Sequence, residues 1–401
     1  MDLESGSPLW PALDPAPPAS PALEKPERCE VAVVGAGVSG ALLAWRLASE
    51  GADVVVLDRR RPGAGSTAAN TALLEYTLDL TMSELAGRIG EERAVRVYRS
   101  CRDAVATLEE WTRELGDSCG FRRRPSVYLA SSEGDATGIR DEAALRERHG
   151  FPVELWERNA IEERFPFSRS AALLTPDAGE VDPLRLTRAL LAAAVEQGAR
   201  VYSHTEVTGY AAGRRSVALR TTRGHRVRTN RVAAATGYET EECLPDPRVS
   251  LWSTYALASE PVESFPGWWE RCLLWETARP AYLYLRTTGD GRILVGGEDE
   301  PYTDAAARDA ALPEKTRRLA ERFAELFPNT PLEVAHAWTG TFAETEDSLP
   351  FIGPRPGLPR ACFSLGYGGN GTLFAVIAAE VLADLHFGRA NADAELFGFG
   401  R

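Results

Sequence analysis

Three glycines, Gly35, Gly37 and Gly40, stand between two apolar runs in CEVAVVGAGVSGALLAWRLASEGADVVVLDRR, residues 29–60, and Asp58 closes the second run. In a strand, turn, helix and strand of this kind each glycine has its own task. The first permits the tight turn, the second lets a diphosphate approach the backbone, and the third lets helix and strand pack closely. Val38 and Ser39 open the helix, where unpaired N–H groups and the positive end of the dipole stabilise phosphate. Asp58, at the end of the second strand, is placed to accept hydrogen bonds from a ribose. This is a dinucleotide cradle, and by itself it is compatible with FAD, with NAD, or with a methyltransferase-like nucleotide site.

A second cradle lies near the other end of the chain, in GYGGNGTLFAVIAAEVLADL. Gly366, Tyr367, Gly368, Gly369, Asn370, Gly371 and Thr372 lead directly into a long apolar helix. A nicotinamide site rarely needs such a turn. A flavin does, because a helix N-terminus beside its pyrimidine end stabilises the negative charge that gathers around N1 and C2=O on reduction. The two turns together point to FAD.

The elements that must position these turns are readable in outline. Residues 1–28 are rich in Pro and Ala and are expected to form no regular element of any length, with Leu9, Trp10 and Leu13 available to anchor the segment to a domain. Apolar residues at three- and four-residue steps from Glu91 to Leu115 predict an amphipathic helix. SVYLA, ending at Ala130, reads as a strand, and 136–165 as helical with interruptions at Pro152 and Pro166. Asp182 caps a helix with Pro183 in its first turn, Gly198 ends it, and a strand begins near Arg200. RVAAATGY is an apolar strand running into a glycine turn. WSTYALASE, AYLYLRTT, RILVGGED and AHAWTGTFAE alternate in the manner of an antiparallel sheet, and 305–327 is a helix rich in Arg and Glu. The fold class is α/β: a glutathione-reductase-like FAD-binding Rossmann domain interleaved with a second, mostly antiparallel-sheet substrate domain. The expected division is an N-terminal extension at 1–28, a FAD-binding domain from 29–80, 166–245 and 343–401, and a substrate domain from 81–165 and 246–342.

Composition excludes several alternatives. A formal charge of −13 argues against a nucleic-acid partner, which requires clustered Lys and Arg. The six cysteines show no CxxC pair and no spacing of a metal cage or disulfide framework, which suits a reducing cytoplasm. No apolar run reaches the roughly 18–20 residues of a membrane span, and the start of the chain lacks the plan of a signal peptide. The histidines, at 149, 204, 225, 336 and 386, form no dyad-like spacing.

VAVVGAGVSGALLAWRLASEGADVVVLDRR, GAGSTAANTALL, RVAAATGY, DSLPFIGP and SLGYGGNGT, in that order, resemble the FAD-dependent oxidoreductases of the D-amino-acid oxidase family, the group with glycine oxidase and sarcosine oxidase. The resemblance runs from about residue 29 nearly to the end. It implies that Arg59, Arg60, Gly65, Ser66, Thr67 and Ala68 contact phosphate, ribose or ring, that Val207 lies near adenine, and that Thr236 and Gly237 approach the dinucleotide. It implies that Asp347 orders its loop or the ribityl chain and that Gly353 permits close approach. Some relatives bond the flavin through a cysteine just before this element. TGTFAETED contains none, so noncovalent FAD is expected.

The same resemblance implies hydride removal from a carbon bearing an amine, giving an imine that water hydrolyses, with O2 or another acceptor restoring the flavin. Relatives hold a substrate carboxylate with an Arg and one or more Tyr, and the candidates here are Arg279, Tyr282, Tyr284 and Arg286. A guanidinium grips a carboxylate through two parallel hydrogen bonds, and strand alternation puts Tyr282, Tyr284 and Arg286 on one face. Pairing of Arg286 with Glu298 or Asp299 is the competing reading. Tyr76, Trp252 and Tyr255 are further wall candidates. Two other functions stay open: a dehydrogenase passing electrons to a quinone or carrier, and a flavin-binding regulatory module that has lost its catalytic face.

Overall fold

Residues 31–33 and Val54–Leu57 are runs of small and β-branched apolar residues, and they become parallel neighbours buried on both faces of a sheet. The computed structural model describes residues 2–14, 20–277 and 282–401. Among them this first sheet has eight strands, in the order Phe351–Pro354, Ala361–Leu365, Arg226–Ala234, Glu27–Val34, Val54–Leu57 and Arg200–Tyr202, with Val217–Thr221 paired to Arg226–Ala234 and Val207–Ala212 paired to Val217–Thr221. Its core strands pair in parallel. The helices Val38–Ser49, Pro183–Glu196 and Gly371–Phe387 cover it, and their buried faces share one apolar core with the long helix Glu91–Glu114. Asp182 caps the Pro183 helix as its sequence requires, accepting hydrogen bonds from Leu184 N and Arg185 N.

The second sheet has ten strands among the described residues and is antiparallel except where Leu273–Glu276 runs parallel to Arg122–Leu129. Its centre is made by Val249–Ser259, Ile293–Glu300 and Leu283–Thr287. The helix Ala305–Leu326 packs Leu319 and Phe323 against one face. The fold is therefore the interleaved α/β arrangement expected. Strand pairing nevertheless puts Ala171–Glu180 in this second sheet, beside Arg122–Leu129, whereas the sequence places residues 166–245 with the nucleotide segments.

Two further expectations are corrected. Residues 1–28 do form regular elements: Glu4–Gly6 pairs with the edge of Val334–Thr345, and Leu9–Leu13 is a short helix. Backbone groups on an open sheet edge recruit a strand whatever its intrinsic propensity. Leu9 and Trp10 are buried and anchor the segment, whereas Leu13 is exposed. Second, residues 368–387 are long and apolar enough, by length and composition, to cross a membrane. Most of that helix is buried inside the protein.

Candidate active site

A cleft of about 830 Å³ lies between the two sheets and is lined mostly by apolar surface. This is the size of small-molecule sites generally. Both glycine turns open into it, and a hydrogen bond from Ser39 Oγ to Tyr367 Oη, 3.2 Å, joins them across the molecule.

At the first turn each glycine answers to a different neighbour. Gly35 has φ +109°, and a Cβ there would sit 2.2 Å from the carbonyl oxygen of Ala235. A Cβ on Gly40 would sit 1.9 Å from the carbonyl oxygen of Gly35, so this glycine is needed for helix and strand to touch. A Cβ on Gly37 would meet only Thr67 Oγ1, at 3.0 Å, so its bare face belongs to the cleft. Thr67 Oγ1 accepts a hydrogen bond from Val38 N, and Ser66 Oγ, buried on the cleft wall, has no hydrogen-bond partner among the described residues. Asp58 accepts hydrogen bonds from Ala36 N at 2.6 Å and Arg60 N at 2.7 Å, which ties the turn to the second strand. Burial pushes its carboxyl above the ordinary value, against the pull of those two N–H groups. Arg59 and Arg60 line the cleft and both pair with Glu239. Val207, Thr236 and Gly237 are on the same wall.

At the second turn Gly366, Tyr367, Gly368, Gly369, Asn370 and Gly371 all line the cleft. Asn370 donates to the carbonyls of Glu75 and Thr77, and Asp79 accepts from Gly369 N at 2.9 Å. Asp79 thus sits against the positive end of the terminal helix, a contact not expected from the sequence. Thr372 is buried behind the turn and accepts from Asn70 Nδ2. Gly65 and Ala68 flank the wall without lining it; Gly65, with φ +86°, starts the short helix Ser66–Ala69.

The end of the cleft on the second sheet has aromatic walls. Tyr282, Tyr284, Trp275 and Phe342 line it together with Thr71 and Thr254. Trp275 stacks on Tyr128 with ring centroids 4.0 Å apart. A Cβ on Gly296 would fall 2.1 Å from the Tyr284 ring, so the ring lies on a strand position that has no side chain. Burial is the main cause that pushes the Tyr284 hydroxyl up to about 12, and the nearby charge of Asp299 adds to it.

Several candidates belong elsewhere. Arg279 lies outside the described residues. Arg286 shares the face of Tyr284 but not its depth. It is buried under Trp10, its guanidinium carbon 5.2 Å from the ring centroid, and it donates to the carbonyls of Ala72 at 2.6 Å and Val181 at 3.2 Å. It neither lines the cleft nor pairs with Glu298 or Asp299, and we regard it as structural. Arg286→Ala is expected to lower stability by about 2–3 kcal/mol, because it strands two buried carbonyls and removes charge-assisted hydrogen bonds. The KM of a turned-over substrate should barely change; denaturant midpoints and initial rates on the holoprotein check both halves. Tyr255 is fully buried against Tyr302, Tyr76 sits in the core, and Trp252 stands off the wall. Asp347 orders its own loop through Arg401, Thr345 and Leu349 N, away from the cleft. Gly353, with φ +131°, has open space around a would-be Cβ and approaches nothing closely.

The family comparison agrees with the geometry. A model of the FAD dependent oxidoreductase family matches residues 30–385, and the chain belongs to that family. It is similar to the probable oxidoreductase OrdL of Rhizobium meliloti, 25% identical over 97% of this chain and 90% of that protein. It is also similar to the gamma-glutamylputrescine oxidoreductase of Escherichia coli, 26% identical over 92% of this chain and 85% of that one. Among solved structures, glycine oxidase from Geobacillus kaustophilus superposes with a TM-score of 0.77 at 23% identity, covering 94% of this chain and 99% of that one. The residues fit FAD: a bare Gly37 face, an unpartnered Ser66 hydroxyl and two helix N-termini open into one cleft. The protein is an FAD-dependent oxidoreductase.

Proposed function

We propose that this chain oxidises an amine or amino acid at a carbon bearing nitrogen, giving an imine that water hydrolyses. Bound FAD supplies the chemistry by accepting a hydride at N5. The residues around the aromatic end orient the substrate carbon and exclude water, and no dedicated base is obligatory for the hydride step. The observation that carries this reading is the composition of the cleft. Among the described residues its cations are Arg59 and Arg60, both paired with Glu239, while Asp58, Glu75, Asp79, Glu206 and Glu242 also line it, so carboxylates outnumber cations. Such a surface favours a cationic, partly apolar substrate. The names of the relatives, one an oxidoreductase of a putrescine derivative and the other a glycine oxidase, lie in the same chemistry.

In this reading the glycine-turn residues and Ser66, Thr67, Val207, Thr236 and Gly237 hold FAD, while Tyr282 and Tyr284 face substrate. FAD is held noncovalently, since no cysteine occurs in 339–347 and the one on the cleft wall, Cys243, lies beside Leu244 on the Arg59 side. O2 or another acceptor restores the flavin, and the eight-stranded and ten-stranded sheets divide FAD and substrate binding between them. The free cysteines suit a cytoplasmic setting. The test is anaerobic mixing of holoprotein with a panel of primary and secondary amines and of D- and L-amino acids. At least one amine should bleach the visible flavin band, and acid precipitation should release the colour. A panel that leaves the band untouched would overturn the reading.

A further inference from the structure

The strand Ile293–Glu300 contains an irregularity whose consequence is local charge placement. Ser253 pairs with Glu300 and Tyr255 with Gly297, so Thr254 alone faces two residues, Glu298 and Asp299. This is a β-bulge, a device that re-aims side chains next to sites. The backbone shows how it is built: Gly297 has φ +136°, a Cβ there would lie 2.0 Å from the carbonyl oxygen of Tyr282, and Glu298 has φ +59°. Regular alternation from Gly296, which carries the Tyr284 ring, would put Glu298 on the cleft side and Asp299 beneath the helix Ala305–Leu326. The bulge exchanges them. Glu298 pairs with Lys315 at 3.2 Å, Arg318 at 3.5 Å and Arg322 at 3.7 Å, all on that helix. Asp299 instead hydrogen-bonds the hydroxyls of Thr254 and Tyr282, both on the cleft wall. It is 7% exposed, and one carboxyl oxygen has no hydrogen-bond partner among the described residues.

We propose that Asp299 is a positioning residue that takes up, through the hydroxyl of Tyr282, the proton an ammonium substrate must lose before its carbon can give up hydride. This rests on the amine reading above. The transfer balances: the substrate N–H bond breaks as a bond forms to Tyr282 Oη, the Tyr282 O–H bond breaks as one forms to the Asp299 carboxylate, and a neutral amine and a protonated carboxyl remain. Tyr282 is unchanged at the end. The oxidising equivalent is the family's own, FAD. Burial, the largest cause, pushes the Asp299 carboxyl up to about 7; the charges of Asp79 and Glu344 push the same way, while hydrogen bonds from Thr254 and Tyr282 pull it down. The groups facing it are therefore Asp79, Glu344, Tyr282, Tyr284 and Thr254. A carboxyl with this value is ionised enough near neutral pH to receive a proton and weak enough as an acid to keep it.

The test compares Asp299→Asn, Tyr282→Phe and the double variant as holoproteins. With an amine that bleaches the flavin, wild-type kcat/KM should rise with pH through an inflection near neutrality. Asp299→Asn should lose that inflection and at least about tenfold in kcat/KM at slightly alkaline pH, and the double variant should be no worse than the poorer single one, because both act in one relay. A retained inflection in Asp299→Asn, or multiplicative losses in the double variant, would overturn the proposal. Thermal stability separates this role from a structural one. The folded carboxyl is a weaker acid than the unfolded one, so its contribution to stability is present below the unfolded value near 3.8 and is lost as pH rises through about 7. Asp299→Asn should thus melt higher than wild type above neutral pH, and a lower melting point there would show a structural carboxylate instead. If no amine reduces the flavin, the amine reading fails by itself, and Asp299 is judged by pH titration of the visible flavin band. A transition near neutral pH that Asp299→Asn abolishes supports its placement beside the ring, and no transition, or one that survives the substitution, overturns it.

Discussion

Gly37→Val is expected to give a folded protein without colour. A side chain at position 37 meets only the Thr67 hydroxyl at 3.0 Å within the protein, so the rest of it projects into the cleft where a diphosphate would approach the backbone. Overpacking of this kind costs about 1–3 kcal/mol, equivalent to roughly 5- to 140-fold weaker FAD at 1.4 kcal/mol per decade, and the apoprotein should keep its circular dichroism and cooperative melt. Gly40→Ala makes the informative contrast. Its Cβ would fall on the carbonyl oxygen of Gly35 at 1.9 Å, a backbone atom that cannot turn aside. That variant should lose stability whether or not FAD is supplied. Flavin titration of refolded apoprotein, with melting curves for both variants, separates the two outcomes; a Gly37→Val protein that holds FAD like wild type would remove this turn from the binding site.

The second large effect is expected far from the cleft. Glu142 and Arg146 are one helical turn apart, both fully buried, with Oε1 and Nε 2.7 Å apart. Glu142 also accepts hydrogen bonds from Met82 N, Ser83 N and Ser83 Oγ, which fastens the start of the helix Met82–Ile89. Arg146 donates to Thr77 Oγ1 and lies over the rings of Tyr98 and Tyr76, at 5.0 and 5.9 Å. Breaking a buried pair by removing one partner leaves an uncompensated charge and costs about 3–5 kcal/mol. Glu142→Ala should therefore shift the denaturant midpoint by that amount, and because Thr77 lines the cleft and its carbonyl holds Asn370, it should weaken FAD as well. Burial would push the Glu142 carboxyl up, but Arg146 and the hydrogen bonds of Ser83 and Met82 outweigh it and hold it below the ordinary value. Its contribution to stability is thus present above the unfolded carboxyl value and lost as pH falls through the folded one. The gap between wild type and Glu142→Gln should narrow in acid. A Glu142→Ala midpoint indistinguishable from wild type would contradict the whole account.

What the sequence disclosed and what it hid follow a physical division. The roles of Gly35 and Gly40 depend on backbone within one strand, turn and helix, and the spacing of three glycines encodes them directly. Alternation places Arg286 on a face but says nothing of its depth; the tryptophan that covers it comes from near the start of the chain. Asp299 was invisible as a site residue because one bulge reverses alternation, and only the Gly296–Gly297 pair hinted at it. Nothing in the helix Asp135–Arg148 itself reveals that Glu142 and Arg146 are buried, since Met82, Ser83 and Thr77, which meet them, come from a distant segment. Asp79 and Phe342 needed the meeting of distant segments at the cleft. The Pro- and Ala-rich start conceals a strand because its hydrogen-bond partners lie more than three hundred residues away.

That wide spacing bears on how the chain is made. Ala361–Leu365 is the parallel neighbour of Arg226–Ala234, and Phe351–Pro354 is added outside it, so the nucleotide sheet keeps an open flank until nearly the whole polypeptide has been synthesised. The ten-stranded sheet likewise waits for Val334–Thr345 to join its earlier members. A ribosome-bound intermediate ending anywhere before that point presents unpaired strand edges and uncovered apolar faces, the features that draw chaperones or lead to clumping. Cutting the gene into two pieces at a loop between Val54–Leu57 and Val334–Thr345 would leave neither product with a finished sheet.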